Sequence, residues 1–447
     1  MAVTPATLQA VELRPAPIGA YKTLLGDAGF ARFESALRGL AATMRGKVLW
    51  NVNSTGRGGG VAELLGSLIP YDLSAGVDER WVVIEGAPEF FALTKKIHTL
   101  LHGVAPDGAQ LTAQDREVYE RTLEPNAVAL LGHMRPGDVA VLHDPQTAGL
   151  VPALSRRGVK VVWRCHIGVD EPNDVARGAW RFLIDYLRDA AAVIFSRQAY
   201  VWEGCAPARV RIIAPCIDPF VTKNRELSDQ ERRDTLERSG LISRVPDSAR
   251  MVLQVSRWDR LKDPVGVLHA FAENIAPRAD AWLVLAGPEV TSVDDDPEQP
   301  EVLADVRSHR DALDRAIKDR IVIAQIPMRD LDRNALIVNA LQRRADVVVQ
   351  KSIAEGFGLT VAEAMWKSRP VVASRVGGIE DQIEDGKSGM LVDDPADLRA
   401  FGAAVVGLLS DPERASALGS GARARVVDQF LAPRHLMQQA ELIAGLH

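Results

Sequence analysis

The sequence predicts an α/β protein with two doubly wound domains, each built on a parallel β-sheet that is covered by helices. Short runs rich in Val and Ile alternate with helical patterns along most of the 447 residues. Such runs, hydrophobic on successive residues, are typical of parallel strands buried on both faces. The alternation lapses once, at 221–250, and then restarts. Because domains usually contain about 100–200 residues, the pattern favours two domains of similar size.

The first half of the chain contains one complete set of alternating elements. The predicted strands are 47–53, 81–86, 138–144, 159–167, 191–197 and 210–218. Helical patterns lie between them, for example at 62–69, 88–103 and 178–190. Since crossovers between parallel strands are right-handed, this order predicts one doubly wound sheet. Residues 1–45 carry no motif that assigns them a structure or a role.

The second half repeats the alternation after a charged connection at 221–250, which we expect to include a surface helix. The predicted strands are 250–259, 281–288, 320–327, 345–352 and 369–376. The helical patterns are 264–276, 301–319, 332–343, 359–367, 395–409 and 412–429. We therefore expect domains at 1–220 and 221–428, and a closing helix at 429–447 that packs back across them. Ligands of such sheets bind at the carboxyl ends of the strands, so two facing domains predict a deep cleft.

Composition excludes several classes of function. The chain is 47% hydrophobic and 25% charged, with a net charge of −6, which argues against a general nucleic-acid or anionic-membrane surface. Its three cysteines are too few for a disulfide scaffold and fit a reducing cytoplasm. The first residues lack the pattern of a secretory signal, and charge-free stretches are too short to span a membrane.

The first motif follows the first predicted strand and reads NSTGRGGGVAELL at 53–65. Its glycines, Gly59 and Gly60 among them, permit a tight turn into a helix whose first amides can meet an anion or a sugar hydroxyl. The spacing is neither that of a P-loop nor that of a dinucleotide fingerprint. The alternative interpretation is an ordinary flexible turn.

The second motif, QKSIAEGFGLTVAEAMWKSRPVVAS at 350–374, is the densest in the sequence. A strand, a loop with two glycines and a helix that starts near Leu359 would place free amides beside a phosphate. Glu355 precedes the helix and Glu363 lies about one turn inside it, so the two carboxylates can meet one ligand at different places. The alternative is a helix cap and one surface glutamate.

The third motif, SRWDRLKDP at 256–264, also follows a strand directly. Arg257 offers a planar fork for phosphate oxygens and Lys262 offers a compact charge, so the pair suits a diphosphate. Alternatively, the two cations pair with Asp259 and Asp263.

Taken together, the motifs resemble a known family. S-R-x-D-x-x-K-D-P, E-G-F-G-L-T-x-x-E-A-M and R-P-V-V-A-S-x-V-G-G resemble the retaining GT-B glycosyltransferases of glycosyltransferase family four. NSTGRGGGVAELL, HDPQTAGL, WRCHIGVDEPN, GPEVTSVDDDPE and NALQRRADVVVQKS are similar to the trehalose glycosyltransferring synthases of that family. The resemblance covers residues 45 to 430. It implies two facing Rossmann-like domains, the first for the acceptor and the second for a nucleotide sugar.

The resemblance also implies roles for individual residues. Glu355 would contact the donor sugar, and Glu363 would bind both ribose hydroxyls, as the two acids of the family's E-x7-E pattern. Arg257 and Lys262 would neutralise the departing diphosphate, and His166 would lie near the transferred sugar. The remaining implied donor contacts are Gly356, Phe357, Gly358, Leu359 and Thr360, and the implied acceptor contacts are Gly59, Gly60, Asp144, Gln146 and Arg197. Arg197 is a candidate near the donor as well.

The reaction implied by the resemblance moves glucose from a nucleotide-diphosphate glucose, such as UDP-glucose or ADP-glucose, to glucose. The product would be α,α-trehalose, formed reversibly and with retention. A trehalose phosphorylase that uses glucose 1-phosphate would keep Arg257 and Lys262 but would not need Glu363 for a ribose. The complete E-x7-E pair favours the nucleotide donor. The sequence is also compatible with a different acceptor, with a non-catalytic sugar-nucleotide sensor and, less well, with a glycoside hydrolase.

We expect no metal or other cofactor. His98 and His102 have the i, i+4 spacing of a zinc site, but the Glu of H-E-x-x-H is missing. The acidic segment SVDDDPE at 292–298 is interpreted as a solvated loop. The expected partners are a nucleotide sugar and a small sugar, with no nucleic acid and no membrane, and the resemblance leaves a homodimer open.

Overall fold

The computed structural model describes residues 4–290 and 298–446. The aspartates of SVDDDPE, at 294–296, lie outside the described residues. The described parts of Met1–Cys216 and Ala432–His447 form one compact unit, and those of Ile217–Leu431 form the other. The closing segment of the chain thus belongs to the first unit.

Each unit contains its own sheet. The strands are β1 (Gln9–Val11), β2 (Leu49–Asn53), β3 (Glu79–Val83), β4 (Val139–His143), β5 (Lys160–Cys165), β6 (Ala192–Phe195), β7 (Val210–Ile212), β8 (Arg250–Val255), β9 (Ala281–Pro288), β10 (Ile321–Ile326), β11 (Val347–Gln350), β12 (Val371–Ser374) and β13 (Met390–Val392). The order in the first unit is β1-β3-β2-β4-β5-β6-β7, with β1 antiparallel to β3 and all other pairs parallel. The order in the second unit is β10-β9-β8-β11-β12-β13, and all its pairs are parallel.

Helices connect the strands. They are α1 (Lys22–Thr43), α2 (Gly60–Ser74), α3 (Pro88–Leu101), α4 (Ala113–Leu131), α5 (Val151–Arg156), α6 (Asp174–Leu183), α7 (Asp229–Ser239), α8 (Pro264–Ala270), α9 (Glu298–Asp311), α10 (Arg315–Lys318), α11 (Leu331–Arg344), α12 (Leu359–Trp366), α13 (Gly378–Gln382), α14 (Leu398–Ser410), α15 (Pro412–Gln429) and α16 (Ala432–Ala444). Within the described residues, no helix is both long enough and apolar enough to cross a bilayer.

The predicted fold class is confirmed, and each predicted strand is present. The strand β9 has the predicted bounds, β3 begins two residues earlier than predicted, and the other predicted strands are shorter than expected. The sequence missed β1 and β13, which are three-residue strands at sheet edges and bury too little to leave a clear pattern. It also missed α1, α4, α5 and α13. Helix α4 is polar along much of its length and contains Pro125, so it lacks the apolar stripe that periodicity detects. A capping box of Thr112 and Asp115 starts it instead.

Strand order determines where a ligand can bind. In each sheet the strand order reverses between two central strands, β2 and β4 in the first unit and β8 and β11 in the second. At such a point the loops leave the carboxyl edge in opposite directions and open a crevice. The glycine-rich turn follows β2, and the two richest motifs of the second half follow β8 and β11.

Helices α1 and α16 cover one face of the first sheet, although they lie at opposite ends of the chain. Leu40 of α1 and Met44 directly after it pack with Leu442 and Ile443 of α16 and with Val141 of β4 in one buried cluster. Because buried apolar area supplies most of the stability of such contacts, this packing explains why the final helix joins the first unit.

Candidate active site

In the second unit, the loop after β8 carries Arg257 and Lys262. Between them the ring of Trp258 is buried, and its Nε1 donates to the backbone oxygen of Pro288 at 2.8 Å. Gly287 permits this packing, since a Cβ there would lie 2.6 Å from the ring. With Trp258 held inside, the Arg257 side chain remains 46% exposed, and one of its nitrogens lies 3.1 Å from Asp259. The alternative pairing is therefore confirmed for Arg257.

Lys262 does not pair with Asp263 as that alternative required. Its ammonium instead forms an ion pair with the carboxylate of Glu355, in the loop after β11. The two side chains are 17% and 9% exposed. Ser352 donates to the same carboxylate at 3.4 Å, and the Ile353 amide donates to the Leu261 carbonyl at 2.8 Å. The loops after the two central strands are thus joined, and the residues that the resemblance assigns to the diphosphate and to the donor sugar, Lys262 and Glu355, are in contact.

A second ion pair, between Lys351 and Asp263, supports the first and was not predicted. Lys351 directly follows β11, and its side chain is only 2% exposed. Asp263 has a φ of 45° and caps α8 by accepting from the Gly266 amide at 2.9 Å. A lysine directly after a Val-rich buried strand was the available sequence signal. The pair fixes the relative position of the loops that carry Lys262 and Glu355.

The start of α12 lies directly after Glu355. Gly358 precedes the helix with a φ of 85°, a conformation that favours glycine. The Gln382 side chain donates to the carbonyls of Phe357 and Gly358, so these oxygens point into the protein. A Cβ on Gly378 would lie 2.6 Å from the Phe357 Cα, which shows how closely the loop packs. The first-turn amides of a helix have no partner inside the helix and can hold an anion.

Thr360 and Glu363 occupy the first turns of α12 in different environments. The Thr360 hydroxyl donates to Gln350 at 3.2 Å, so its side chain is already engaged with the strand below. Glu363 is 2% exposed, and one carboxylate oxygen lies 3.2 Å from the ammonium of Lys223. The alternative of a surface glutamate is therefore wrong, because α12 packs this face inward. Lys223 was not predicted.

The Lys367 ammonium lies one turn beyond Glu363 and donates to that residue's backbone oxygen at 3.3 Å. It also donates to Asn224 and Gln342. Burial lowers the pKa of Lys367 to about 7. Buried polar groups of Lys367, Asn224 and Gln342 thus form a hydrogen-bonded cluster beside α12. This cluster lies next to Glu363, whose carboxylate the resemblance assigns to the ribose.

In the first unit, His166 and Asp144 are brought together at the carboxyl edge of β4 and β5. The His166 amide donates to an Asp144 carboxylate oxygen at 2.7 Å, and Asp144 itself has a φ of 63°. Burial raises the pKa of Asp144 to about 7. The His166 Nε2 lies 3.1 Å from Nδ1 of His143, a residue of the HDPQTAGL motif that was not predicted to take part in the site.

The other predicted acceptor residues lie in neighbouring loops of this unit. Gly59 has a φ of 80° and precedes α2, which begins at Gly60, and both are exposed. The Oε1 of Gln146 is buried and has no hydrogen-bond partner among the described residues. Arg197 lies 2.8 Å from Asp170 and packs over the ring of Tyr200.

Within the described residues, no group of three or more His, Cys, Asp or Glu side chains is arranged to hold a metal ion. The His98 and His102 rings contact each other edge to face, with their centroids 4.8 Å apart.

Solved structures and family models identify the class of protein. The α,α-trehalose-phosphate synthase (UDP-forming) of Burkholderia vietnamiensis aligns with a TM-score of 0.70 at 14% identity, covering 89% of this chain and 98% of that one. An Anabaena protein in complex with UDP and glucose aligns at 0.61 and 15%, covering 89% and 100%. The model "Glycosyl transferases group 1" matches residues 242–425, and "Trehalose synthase, N-terminal domain" matches 51–202. Fold and site define a GT-B glycosyltransferase.

Sequence relatives identify the family. The trehalose synthase of Rubrobacter xylanophilus is 36% identical over 417 residues, 92% of this chain and 93% of the relative. The chain therefore belongs to the trehalose synthase family, as the motifs predicted. The trehalose synthase of Thermococcus litoralis is 34% identical over 423 residues, 95% of each chain. A trehalose phosphorylase of Grifola frondosa is 26% identical over 404 residues, 84% of this chain but 54% of that protein. The protein is a trehalose-related glycosyltransferase.

Proposed function

We propose that this enzyme transfers glucose from a nucleotide-diphosphate glucose to glucose and forms α,α-trehalose, reversibly and with retention at the donor carbon. The observation that carries the proposal is the contact of Lys262 with Glu355 beside the start of α12. A cation, a carboxylate and a helix start suit a sugar that is joined to a diphosphate. The names of the full-length relatives support trehalose as the product, and the Anabaena complex supports a nucleotide donor.

The second unit is proposed to bind the donor. Glu355 accepts hydrogen bonds from the sugar hydroxyls, while Lys262 and Arg257 meet the diphosphate. The guanidinium of Arg257 is 46% exposed beside Asp259 and can be reached by a phosphate, whereas the less exposed Lys262 has to share its charge with Glu355. Glu363 accepts from the ribose hydroxyls. Backbone amides complete the donor site, and they belong to Gly356, Phe357, Gly358, Leu359 and Thr360. The Thr360 hydroxyl has another partner, so we assign this residue a role through its amide alone.

The first unit is proposed to bind the acceptor. Asp144 offers a carboxyl group after β4, beside the residue His166 that is assigned to the transferred sugar, and Gln146 brings a buried amide oxygen that can accept from a sugar hydroxyl. We group Gly59, Gly60 and Arg197 with these residues.

The proposed step breaks the bond between the anomeric carbon and the diphosphate oxygen, and the electron pair leaves with the diphosphate. The acceptor oxygen forms its new bond on the same face of the sugar, and its proton goes to the departing phosphate oxygen. Positive charge develops on the sugar and negative charge on the diphosphate. Lys262, Arg257 and the helix amides stabilise that negative charge more in the transition state than in the ground state. No metal or other cofactor is required in this proposal.

A phosphorolytic reaction is the second candidate, because the chain resembles a trehalose phosphorylase over 84% of its length. That reaction would use glucose 1-phosphate and would leave Glu363 without a ribose to bind. Both acids of the E-x7-E pattern, Glu355 and Glu363, are present, which favours a nucleotide sugar as the donor.

The test is a direct assay of the full chain with UDP-glucose, ADP-glucose or GDP-glucose and with glucose as acceptor. We expect release of the nucleoside diphosphate and a non-reducing disaccharide whose two anomeric protons show α couplings in the NMR spectrum. Glucose 1-phosphate in place of the nucleotide sugar tests the second candidate. If glucose yields no non-reducing product with any nucleotide donor, the proposal fails.

We further propose a cytoplasmic location, because the three cysteines form no disulfide. The net charge of −6 supports small anionic and neutral substrates rather than nucleic acid as partners. A homodimer remains part of this proposal and is tested by sedimentation of the full chain.

A further inference from the structure

A chain of buried hydrogen bonds runs behind His166 into the core of the first unit. The Nε2 of His166 lies 3.1 Å from Nδ1 of His143, and Nε2 of His143 lies 3.2 Å from Oδ1 of Asn51. The Nδ2 of Asn51 donates to Glu79 at 2.7 Å. Asn51, Glu79 and His143 are buried, and His166 is partly exposed. The chain therefore connects the sheet interior with the candidate acceptor site.

Glu79 determines which groups donate and which accept in this chain of hydrogen bonds. Burial and the nearby Asp72 raise the pKa of Glu79 well above its ordinary value. Oε2 of Glu79 is buried and has no hydrogen-bond partner among the described residues, whereas Oε1 lies 2.7 Å from Nδ2 of Asn51. Oε1 of Glu79 is left as an acceptor. Asn51 must then turn its amide nitrogen toward Glu79 and its oxygen toward His143.

The orientation of Asn51 fixes the tautomers of both histidines. An amide oxygen can only accept, so Nε2 of His143 carries a proton and donates to Asn51. In a neutral ring the other nitrogen is then an acceptor, and Nδ1 of His143 accepts from His166. His166 must therefore carry its proton on Nε2. Its Nδ1 is left with a lone pair.

The surroundings keep both rings neutral. The titratable and charged groups that face them are Arg164 on β5, Asp144 after β4, Glu79 on β3, Asp72 on α2 and His435 on α16. Burial and the positive charge of Arg164 lower the pKa of His143 to about 3 and that of His166 well below its ordinary value. Asp144 accepts from the backbone amide of His166. Its carboxylate is thus engaged away from the ring nitrogens.

We propose that Glu79, Asn51 and His143 are positioning residues that hold His166 as the neutral tautomer protonated on Nε2, so that its Nδ1 accepts a hydrogen bond from a sugar hydroxyl. The identity of the ligand rests on the proposed function, whereas the tautomer does not. A histidine that accepts is suited to a hydroxyl group and is unsuited to a backbone carbonyl, which cannot donate. This chain of hydrogen bonds thus determines that a donor group of the ligand, such as a hydroxyl, faces Nδ1 of His166.

The test is a long-range ¹H–¹⁵N NMR spectrum of the full chain, labelled in its histidines, at neutral pH. Protonated and unprotonated ring nitrogens have separate ¹⁵N shifts, and the His166→Gln variant assigns the signals of His166. We expect one tautomer, with Nε2 protonated and Nδ1 unprotonated. A proton on Nδ1, a charged ring or an even mixture of tautomers would overturn the proposal.

Two substitutions and a control distinguish control of the His166 tautomer by these hydrogen bonds from a general loss of stability. Asn51→Ala should produce a mixture of tautomers at His166. The matched control is Asn126→Ala, which removes an equally buried asparagine that binds the backbone of Glu85 in the same unit and should leave the tautomer unchanged. Glu79→Gln should also preserve the tautomer, because the new amide can accept from Asn51 and donate to Asp72. If Asn51→Ala leaves His166 unchanged, or if Glu79→Gln disturbs it, the chain does not set the tautomer. Should Asn51→Ala fail to fold, the spectra of the wild type and of Glu79→Gln decide.

Kinetics separate this proposal from the proposed function. Asn51→Ala should lower kcat/KM for the nucleotide sugar about tenfold, the effect of one misdirected hydrogen bond to the transferred sugar, and should leave KM for glucose unchanged. If the tautomer is as stated but no trehalose forms, the proposed function fails and the positioning role stands. If trehalose forms and His166 carries its proton on Nδ1, the positioning role fails alone.

Discussion

Replacing Lys262 with Met should nearly abolish turnover without unfolding the second unit. Methionine fills a similar volume, so the change removes the charge and preserves most of the packing. Lys262 is 17% exposed and is paired with Glu355, an environment that water screens only partly. At an effective dielectric constant near 20, two unit charges about 4 Å apart interact by about 4 kcal/mol. Loss of one group that stabilises transition-state charge costs about 2.7–4 kcal/mol, or about 10²–10³-fold in kcat.

The assay is steady-state release of nucleoside diphosphate with saturating glucose. Circular dichroism should show that the Lys262→Met variant retains its helices. The matched control is Lys387→Met, because the ammonium of Lys387 also pairs with a glutamate in the same unit but is 74% exposed. This control should change kcat by less than twofold, since exposed ion pairs contribute little. A kcat within threefold of the wild type for Lys262→Met would refute the proposed role in stabilising the departing diphosphate.

Three further predictions concern other residues of the two units. Glu363→Gln should raise KM for the nucleotide sugar by about 10–100-fold with little effect on kcat, because hydrogen bonds to a charged acceptor contribute about 1.5–3 kcal/mol each; steady-state kinetics with varied donor measures this. Gly358→Ala should destabilise the second unit by about 1–2 kcal/mol, since its φ of 85° is unfavourable for alanine and the new Cβ would lie 3.3 Å from Glu355 and Ile379; thermal unfolding measures the loss. In the native protein the pKa of Asp144 is raised from 3.8 to about 7, so the folded state binds more protons and this residue's contribution to stability falls as pH rises through that window. The unfolding free energy of Asp144→Asn should therefore rise relative to the wild type between pH 4 and 7, and urea titrations at several pH values test this.

The fold was predictable because buried strands and amphipathic helices leave recognisable hydrophobic patterns over short stretches of sequence. Runs of Val and Ile identified the buried strands, and their alternation with helices identified parallel sheets. Edge strands and polar helices were missed because they bury few apolar side chains and so leave a weak periodic signal. The closing helix was predicted as an element, but its packing against α1 was not, since the two contacting segments lie nearly 400 positions apart.

The candidate site was predictable only in part. Glycines and charged residues directly after strands pointed to Lys262, Glu355 and the start of α12, because the chemistry of anion binding requires those residue types at those places. The pairing of Lys262 with Glu355 rather than with Asp263 was not predictable. The two residues are 93 positions apart, and strand order alone brings their loops together.

By itself, the sequence determined the fold class, the family and the loops that carry the chemistry, because each of these depends on residue types at short spacings. The tertiary structure decided which groups are buried and which atoms meet. Glu363 is buried beside Lys223, and His166 contacts His143, which in turn contacts Asn51. Burial and hydrogen-bond direction set protonation states, and both depend on contacts between distant segments that no local pattern records.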